Sequence, residues 1–319
     1  MKTEFKNNTR RLLTSLALVA IVPLASAQDY PNKPVKVIVP FPAGGSTDLM
    51  ARATARELAE TLGQNVVVDN RGGGAGTIGV AALARERPDG YTLGVVPAAT
   101  LVNQPHMRRT PYDLDQFDYI CQLFSSPMAL AVKPDSPFEN LNQLVDYAKE
   151  HPNELTYGTP GPGTLMHLAM EQFLQIADIE LEHVPFTGDA PAATALLGGH
   201  IDLYMSMTNV VNDRGLASIG VFSEEPAPSL PEVETAIEQG YDITAAWWGG
   251  LVAPQGLEDG VKSRLVESCQ SVVYAERFAQ TLEDLGADVH FRDPDDFEAY
   301  VRGISETNAQ LIETVFKGE

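Results

Sequence analysis

The run Val39-Pro40-Phe41-Pro42-Ala43-Gly44-Gly45-Ser46-Thr47-Asp48 carries an apolar stretch into a glycine turn and then into the start of a helix. Two adjacent glycines leave backbone N–H groups unobstructed at the positive end of a helix dipole, where a small anion is stabilised. Asp48 has two readings there. It is either a contact to ligand or bridging water, or a carboxylate near the third helical position that accepts from the chain's own free N–H groups. The same grammar recurs at Thr159-Pro160-Gly161-Pro162-Gly163-Thr164 and at Phe186-Thr187-Gly188-Asp189. Sheets of α/β proteins bind ligands at the carboxyl ends of their strands, so three such turns predict a carboxylate site built from helix N-termini rather than from a salt bridge.

Other constellations point away from chemistry. Gly74-Ala75-Gly76-Thr77-Ile78-Gly79 fits the dinucleotide pattern G-x-G-x-x-G, yet residues 94–99 hold no acid to meet a ribose hydroxyl, and no phosphate-loop lysine is present. His167 and Glu171 lie one helical turn apart. A single pair at that spacing predicts no metal site, because His106, His151, His183, His200 and His290 show no ligand spacing. His167 is expected to face the cleft as a hydrogen-bond donor. No G-x-S-x-G elbow occurs, and neither Cys121 nor Cys269 has the context of a nucleophile. The sequence therefore predicts no catalytic residue, no cofactor and no metal. The two cysteines suit one disulfide in an oxidising compartment or two buried thiols. Trp247-Trp248 suits either the core or a cleft wall.

The elements that must position these residues alternate. Strands are expected at Val35 to Val39, Val66 to Val68, Tyr91 to Val96, Leu155 to Gly158, Leu181 to Pro185 and Ala217 to Phe222. Helices follow most of them: Ala51 to Leu62 stops at Gly63, Ile78 opens the next, and Ser136-Pro137-Phe138-Glu139 reads as a capping box. Asp189 is expected to cap a helix closed at Gly198-Gly199. This order predicts an α/β fold with mainly parallel sheets. Tyr119 to Val132, and Ala217 to Phe222 with its sequel at Ala245, are candidate crossings between two lobes.

At the front of the chain, Lys2, Lys6, Arg10 and Arg11 precede an apolar run from Leu12 to Leu24 and the small residues Ala25-Ser26-Ala27. This is the pattern of a signal peptide cut after Ala27. The chain of 319 residues carries 22 Lys and Arg against 43 Asp and Glu, a formal charge of −21, which argues against nucleic acid or an anionic membrane face as partner. A local donor-rich site can still hold a carboxylate, because exposed charges are screened over about 8 Å at physiological salt.

Several motifs in the same order resemble one family. Val39 to Asp48, Val68-Asp69-Asn70-Arg71 with its glycines, Arg87-Pro88-Asp89-Gly90-Tyr91-Thr92-Leu93, Tyr157 to Thr164 through His167, and Val184 to Gly188 are similar to the Bug receptors. These are the TctC-type extracytoplasmic solute-binding proteins of tripartite tricarboxylate transporters. The resemblance implies a two-lobed periplasmic-binding-protein fold, type II-like, with a clamshell cleft: lobe 1 from residues 28–127 and 247–319, lobe 2 from 128–246. It implies a small organic acid held by its carboxylate between Phe41, Ala43, Gly44, Gly45 and Asp48 on one jaw and Thr159, Gly163, Thr164 and His167 on the other. Thr187, Gly188 and Asp189 would reach the variable end of the ligand, and Thr100 joins the site from the small run Ala98-Ala99-Thr100, where family members vary with ligand. The partners implied are that acid and the membrane permease subunits, for a monomer in the periplasm of a Gram-negative bacterium. The alternative is a secreted α/β hydrolase or lyase acting on an organic acid, against which stands the absence of a nucleophile, base and orienter set.

Overall fold

Val35–Val39 is buried almost throughout, as expected of a strand covered on both faces by helices. In the computed structural model, which describes Met1, residues 30–186 and residues 188–316, it is β1 and is followed by α1 (Ser46–Leu62), β2 (Val66–Asn70), α2 (Thr77–Leu83), β3 (Thr92–Pro97), α3 (Ala98–Val102) and α4 (Gln104–Met107). The middle of the chain is β4 (Phe117–Val132), α5 (Leu141–Glu150), β5 (Thr156–Thr159), α6 (Leu165–Ala177), β6 (Glu182–Pro185), α7 (Asp189–Leu197), β7 (Leu203–Met207), α8 (Thr208–Asp213) and β8 (Ala217–Phe222). The remainder is β9 (Ala246–Pro254), α9 (Asp259–Val273), α10 (Glu276–Asp284), β10 (Asp288–Arg292) and α11 (Pro294–Phe316). The leader and its cleavage site fall outside the described residues, as does Thr187.

One curled sheet runs in the order β2-β1-β3-β9-β4-β7-β5-β6, with β10 and β8 also paired to β4. The 16-residue β4 serves both halves. From Phe117 to Pro127 it pairs with β9, and from Met128 onward with β7 and β8. The fold is α/β, but the expectation of mainly parallel sheets needs correction. The pairs β1–β2, β1–β3, β5–β6 and β5–β7 are parallel, whereas β3–β9, β4–β9, β4–β10, β4–β7 and β4–β8 are antiparallel. Parallel neighbours need a crossover between them, and a helix supplies it here; the other strands arrive from the far half of the chain.

Helix packing follows the strands. Met50, Ala51 and Leu58 of α1 join Leu265, Cys269 and Val272 of α9 over one face of β1 and β3. Cys121 of β4 and Cys269 of α9, both fully buried, form a disulfide. Trp248 is 1% exposed and packs edge-on to Phe297 of α11, and Trp247 leans on Phe124. Trp248 thus belongs to the core, and the partly buried Trp247 packs against it.

Two helix starts differ from the sequence expectation. Asn140, not Ser136, caps the helix after Pro137, its side chain accepting from the Gln143 N–H at 2.9 Å. Gly188, not Asp189, is the N-cap of α7, and no side chain caps that helix. In both cases the expected capping side chain is engaged elsewhere: the Ser136 hydroxyl takes the Phe138 N–H, and Asp189, the first residue of α7, turns toward β7.

Candidate functional site

The glycine turn after β1 is exposed from Pro42 to Ser46, and the side chain that organises it is not. Asp48, the third residue of α1, is 1% exposed. Its carboxylate accepts from the Gly44 N–H at 2.8 Å, from Arg52 Nε at 2.9 Å and from Asn70 Nδ2 at 2.9 Å. Burial by itself would raise this carboxyl, but the hydrogen bonds from Arg52, Gly44 and Asn70, with the Arg52 charge, outweigh it and hold Asp48 below the usual carboxylate range. The Gly44 amide is thereby engaged, at φ +86°, and its neighbour Gly45 becomes an N-cap without any side-chain partner. The first turn of α1 therefore has N–H groups without a side-chain cap, beside the exposed Ala43, Gly44 and Gly45.

Phe41 lies half-buried under this turn, and its carbonyl accepts from Asn70 at 3.0 Å. Phe41 and Thr100 meet at Gly76, which has φ +91°. A methyl group there would come within 2.7 Å of Thr100 Oγ1 and 3.2 Å of the Phe41 ring. Thr100 is 1% exposed, and its hydroxyl has no protein partner among the described residues. Asn103, one helical turn onward, donates to the Gly163 carbonyl at 3.4 Å and accepts from Asn308 of α11 at 2.7 Å. That contact joins the two halves of the chain at the strand ends.

On the second side, the loop from Thr159 to Thr164 is held by its own side chains. Thr164 is the N-cap of α6: its hydroxyl accepts from the His167 N–H at 3.3 Å and donates to the Gly161 carbonyl at 2.8 Å. Thr159 is fully buried, with its hydroxyl 2.8 Å from His183 Nε2. His167 departs from expectation. It is 3% exposed, accepts the Gly163 N–H on Nδ1 at 3.0 Å, turns Nε2 toward Glu171 at 3.5 Å and stacks on His183 with ring centroids 4.0 Å apart. The expected cleft-facing donor is an internal brace, because the turn of α6 that carries His167 faces β5 and β6 rather than solvent. Farther along, Gly188 sits at φ +146°, and Asp189 accepts from the hydroxyls of Tyr204 and Ser206. The first turn of α7 is, like that of α1, left without a side-chain cap.

A cavity of about 790 Å³ lies elsewhere, between α8, α10 and the start of β10. Asp213, Glu276, Glu283, Asp284 and Asp288 line it, a wall that repels a carboxylate. No group of three or more metal-ligating side chains occurs among the described residues, and no described helix is long and apolar enough to cross a membrane.

The model of the TctC family, described as tripartite tricarboxylate transporter family receptor, matches residues 50–316. The chain belongs to that family. Among its TctC relatives are a UPF0065 protein from the tcbD-tcbE intergenic region of Pseudomonas sp. (strain P51), 33% identical over 87% of this chain and 85% of its own, and BugT of Bordetella pertussis, 32% identical over 85% and 88%. A TctC solute-binding protein from Polaromonas, solved without ligand, superposes with a TM-score of 0.85 at 29% identity, covering 90% of this chain and all of that one. Two Rhodopseudomonas palustris proteins, each 26% identical over 89% of this chain, were solved with adipate (TM-score 0.69, 98% of that chain) and with malate (0.67, all of that chain).

Asn70, Asn103 and His183 hold these TctC loops in place, and the sequence reading gave them no separate role. Asn70 sits in a quoted motif. His183 and Asn103 carry no local signal, since each acts on a partner 24 and 60 positions away.

Proposed function

We propose that this protein is a periplasmic receptor that captures a small organic acid through a carboxylate and delivers it to the membrane permease of a tripartite tricarboxylate-type transporter. The observation that carries the reading is the exposed, uncapped start of α1, kept open because Asp48 is turned inward to hold the Gly44 amide. Unpaired N–H groups at a dipole's positive end bind a carboxylate without a counter-cation. The uncapped start of α7 and the braced loop from Thr159 to Thr164 offer the facing surface. The relatives solved with malate and adipate support a dicarboxylate. The leader pattern through Ala27 supports export. In this reading residues 28–127 with 247–319 form one lobe, 128–246 the other, and the ligand is bound without being turned over.

A thermal-shift screen of organic acids, neutral sugars and cations tests this. A ligand that binds only the folded state stabilises it by about 2.7 kcal/mol at a hundredfold excess over Kd, so at least one carboxylate raises Tm clearly. A screen in which only sugars or cations raise it refutes the assignment.

A further inference from the structure

Helix α11 runs from one half of the chain to the other. In its first turn Phe297 packs edge-on to Tyr119 of β4 and Trp248 of β9, and near its far end Leu311 and Ile312 are buried with Leu168 of α6. Between these contacts two buried side chains of α11 meet the junction of α3 and α4. Ser305 Oγ lies 2.8 Å from His106 Nε2, and Asn308 Nδ2 donates to Asn103 Oδ1 at 2.7 Å. The partners are three residues apart on each side, so they share a face and fix one antiparallel register. A side-chain amide presents a donor and an acceptor at one end, and either could face a given neighbour. Here the acceptor of Asn103 is taken by Asn308, which turns the Asn103 nitrogen to the Gly163 carbonyl at 3.4 Å. Asn103 is fully buried and Asn308 is 6% exposed, so a reversed amide would set donor against donor and leave buried polar groups unpaired. Gly163, at φ +71°, immediately precedes Thr164, the N-cap of α6. Thus α11 reaches the second half twice, directly at Leu168 and through Asn103 at the loop that opens α6.

Resting on the receptor reading above, we propose that Asn308 is a positioning residue for ligand affinity: by orienting the Asn103 amide, it docks the loop from Thr159 to Thr164 on the first half before the organic acid arrives. A loop already held in its binding position has less freedom to lose when ligand is bound, so this tie raises affinity without touching the ligand. With the Asn308 donor gone, the Asn103 amide has no fixed sense, the Gly163 carbonyl loses its partner, and the loop must be ordered at the moment of binding.

The test compares three variants of α11 with the parent. Asn308→Leu keeps the volume and removes the donor, Asn308→Gln keeps the donor, and Val301→Ala removes buried methyl groups of the same helix without touching the amide pair. Hydrogen exchange over residues 159–164, read by mass spectrometry on unliganded protein, should quicken about fivefold in Asn308→Leu, and malate and adipate should bind it about fivefold more weakly in calorimetric titrations, the worth of one typical hydrogen bond. Asn308→Gln should match the parent in both, and Val301→Ala should melt earlier yet match it in both. Asn103→Leu removes the Gly163 contact outright and should follow Asn308→Leu, so either variant decides if the other does not fold. Parent-level exchange in Asn308→Leu, or an equal loss of affinity in Val301→Ala, overturns the assignment. If no carboxylate binds the parent, the receptor reading fails instead, and the exchange rates still decide whether Asn308 docks the loop.

Discussion

At the scale of single residues, inward-facing side chains set the shape of the outward-facing backbone. Asp48 is the clearest case, because three donors converge on one buried carboxylate and two of them, Gly44 and Asn70, fix the loops on either side of it. Asp48→Asn places an amide among those donors and leaves at least one of them unmatched, at about 1–3 kcal/mol. Its folded-state pKa is depressed, so its contribution is complete above the unfolded carboxyl value near 4 and is lost as pH falls through the lower folded value. Melting curves of the two proteins should therefore differ by several degrees at neutral pH and converge in strong acid. A gap that persists unchanged at pH 2 would mean that packing, not charge, is what the aspartate supplies. Asp48's position near the third helical residue was legible, since spacing from the glycines sets it. The orientation of His167 was not: its partners Tyr157 and His183 come from separate strands, and a helical period does not say which flank of a helix start is covered.

Among the elements, the glycines separate conformational need from lack of room. Gly45 has ordinary angles, φ −83° and ψ 166°, and a methyl group there meets only the Pro42 carbonyl at 3.7 Å. Gly44 needs its φ of +86° but has open space, whereas Gly76 needs both its φ and the gap beside Thr100 and Phe41. Gly45→Val should thus melt like the parent while losing ligand stabilisation, Gly44→Ala should cost about 1 kcal/mol, and Gly76→Ala about 2 kcal/mol or more. Denaturant titration gives the order, and any other ranking contradicts the assigned backbone geometry. The helices and parallel strands were readable because apolar spacing and glycine stops are local signals. β10 and the antiparallel pairing of β4 with β9 were not, because the register of strands more than a hundred residues apart has no local signature.

For the whole molecule, β4 and β9 lie side by side from Phe117 to Pro127, and Met128 then turns to β7 and β8, so the two halves share strands rather than a linker. Such a junction permits bending about Pro127 and Ala246 while both core regions stay intact. If a carboxylate bridges the starts of α1 and α7, the radius of gyration from small-angle scattering should shrink on adding a ligand confirmed by thermal shift. An unchanged radius would place the whole site on one half.

The bond between Cys121 and Cys269 spans 148 positions, and the chain both leaves the first half near Met128 and returns near Ala246 inside that span. The second half is therefore a closed ring hanging from a covalent clasp. A protease that nicks any single loop of that ring releases no fragment: the nicked protein keeps its mass, runs as one band without reductant, and separates into two pieces only when the clasp is reduced. One cut in that region opens the ring without dividing the molecule.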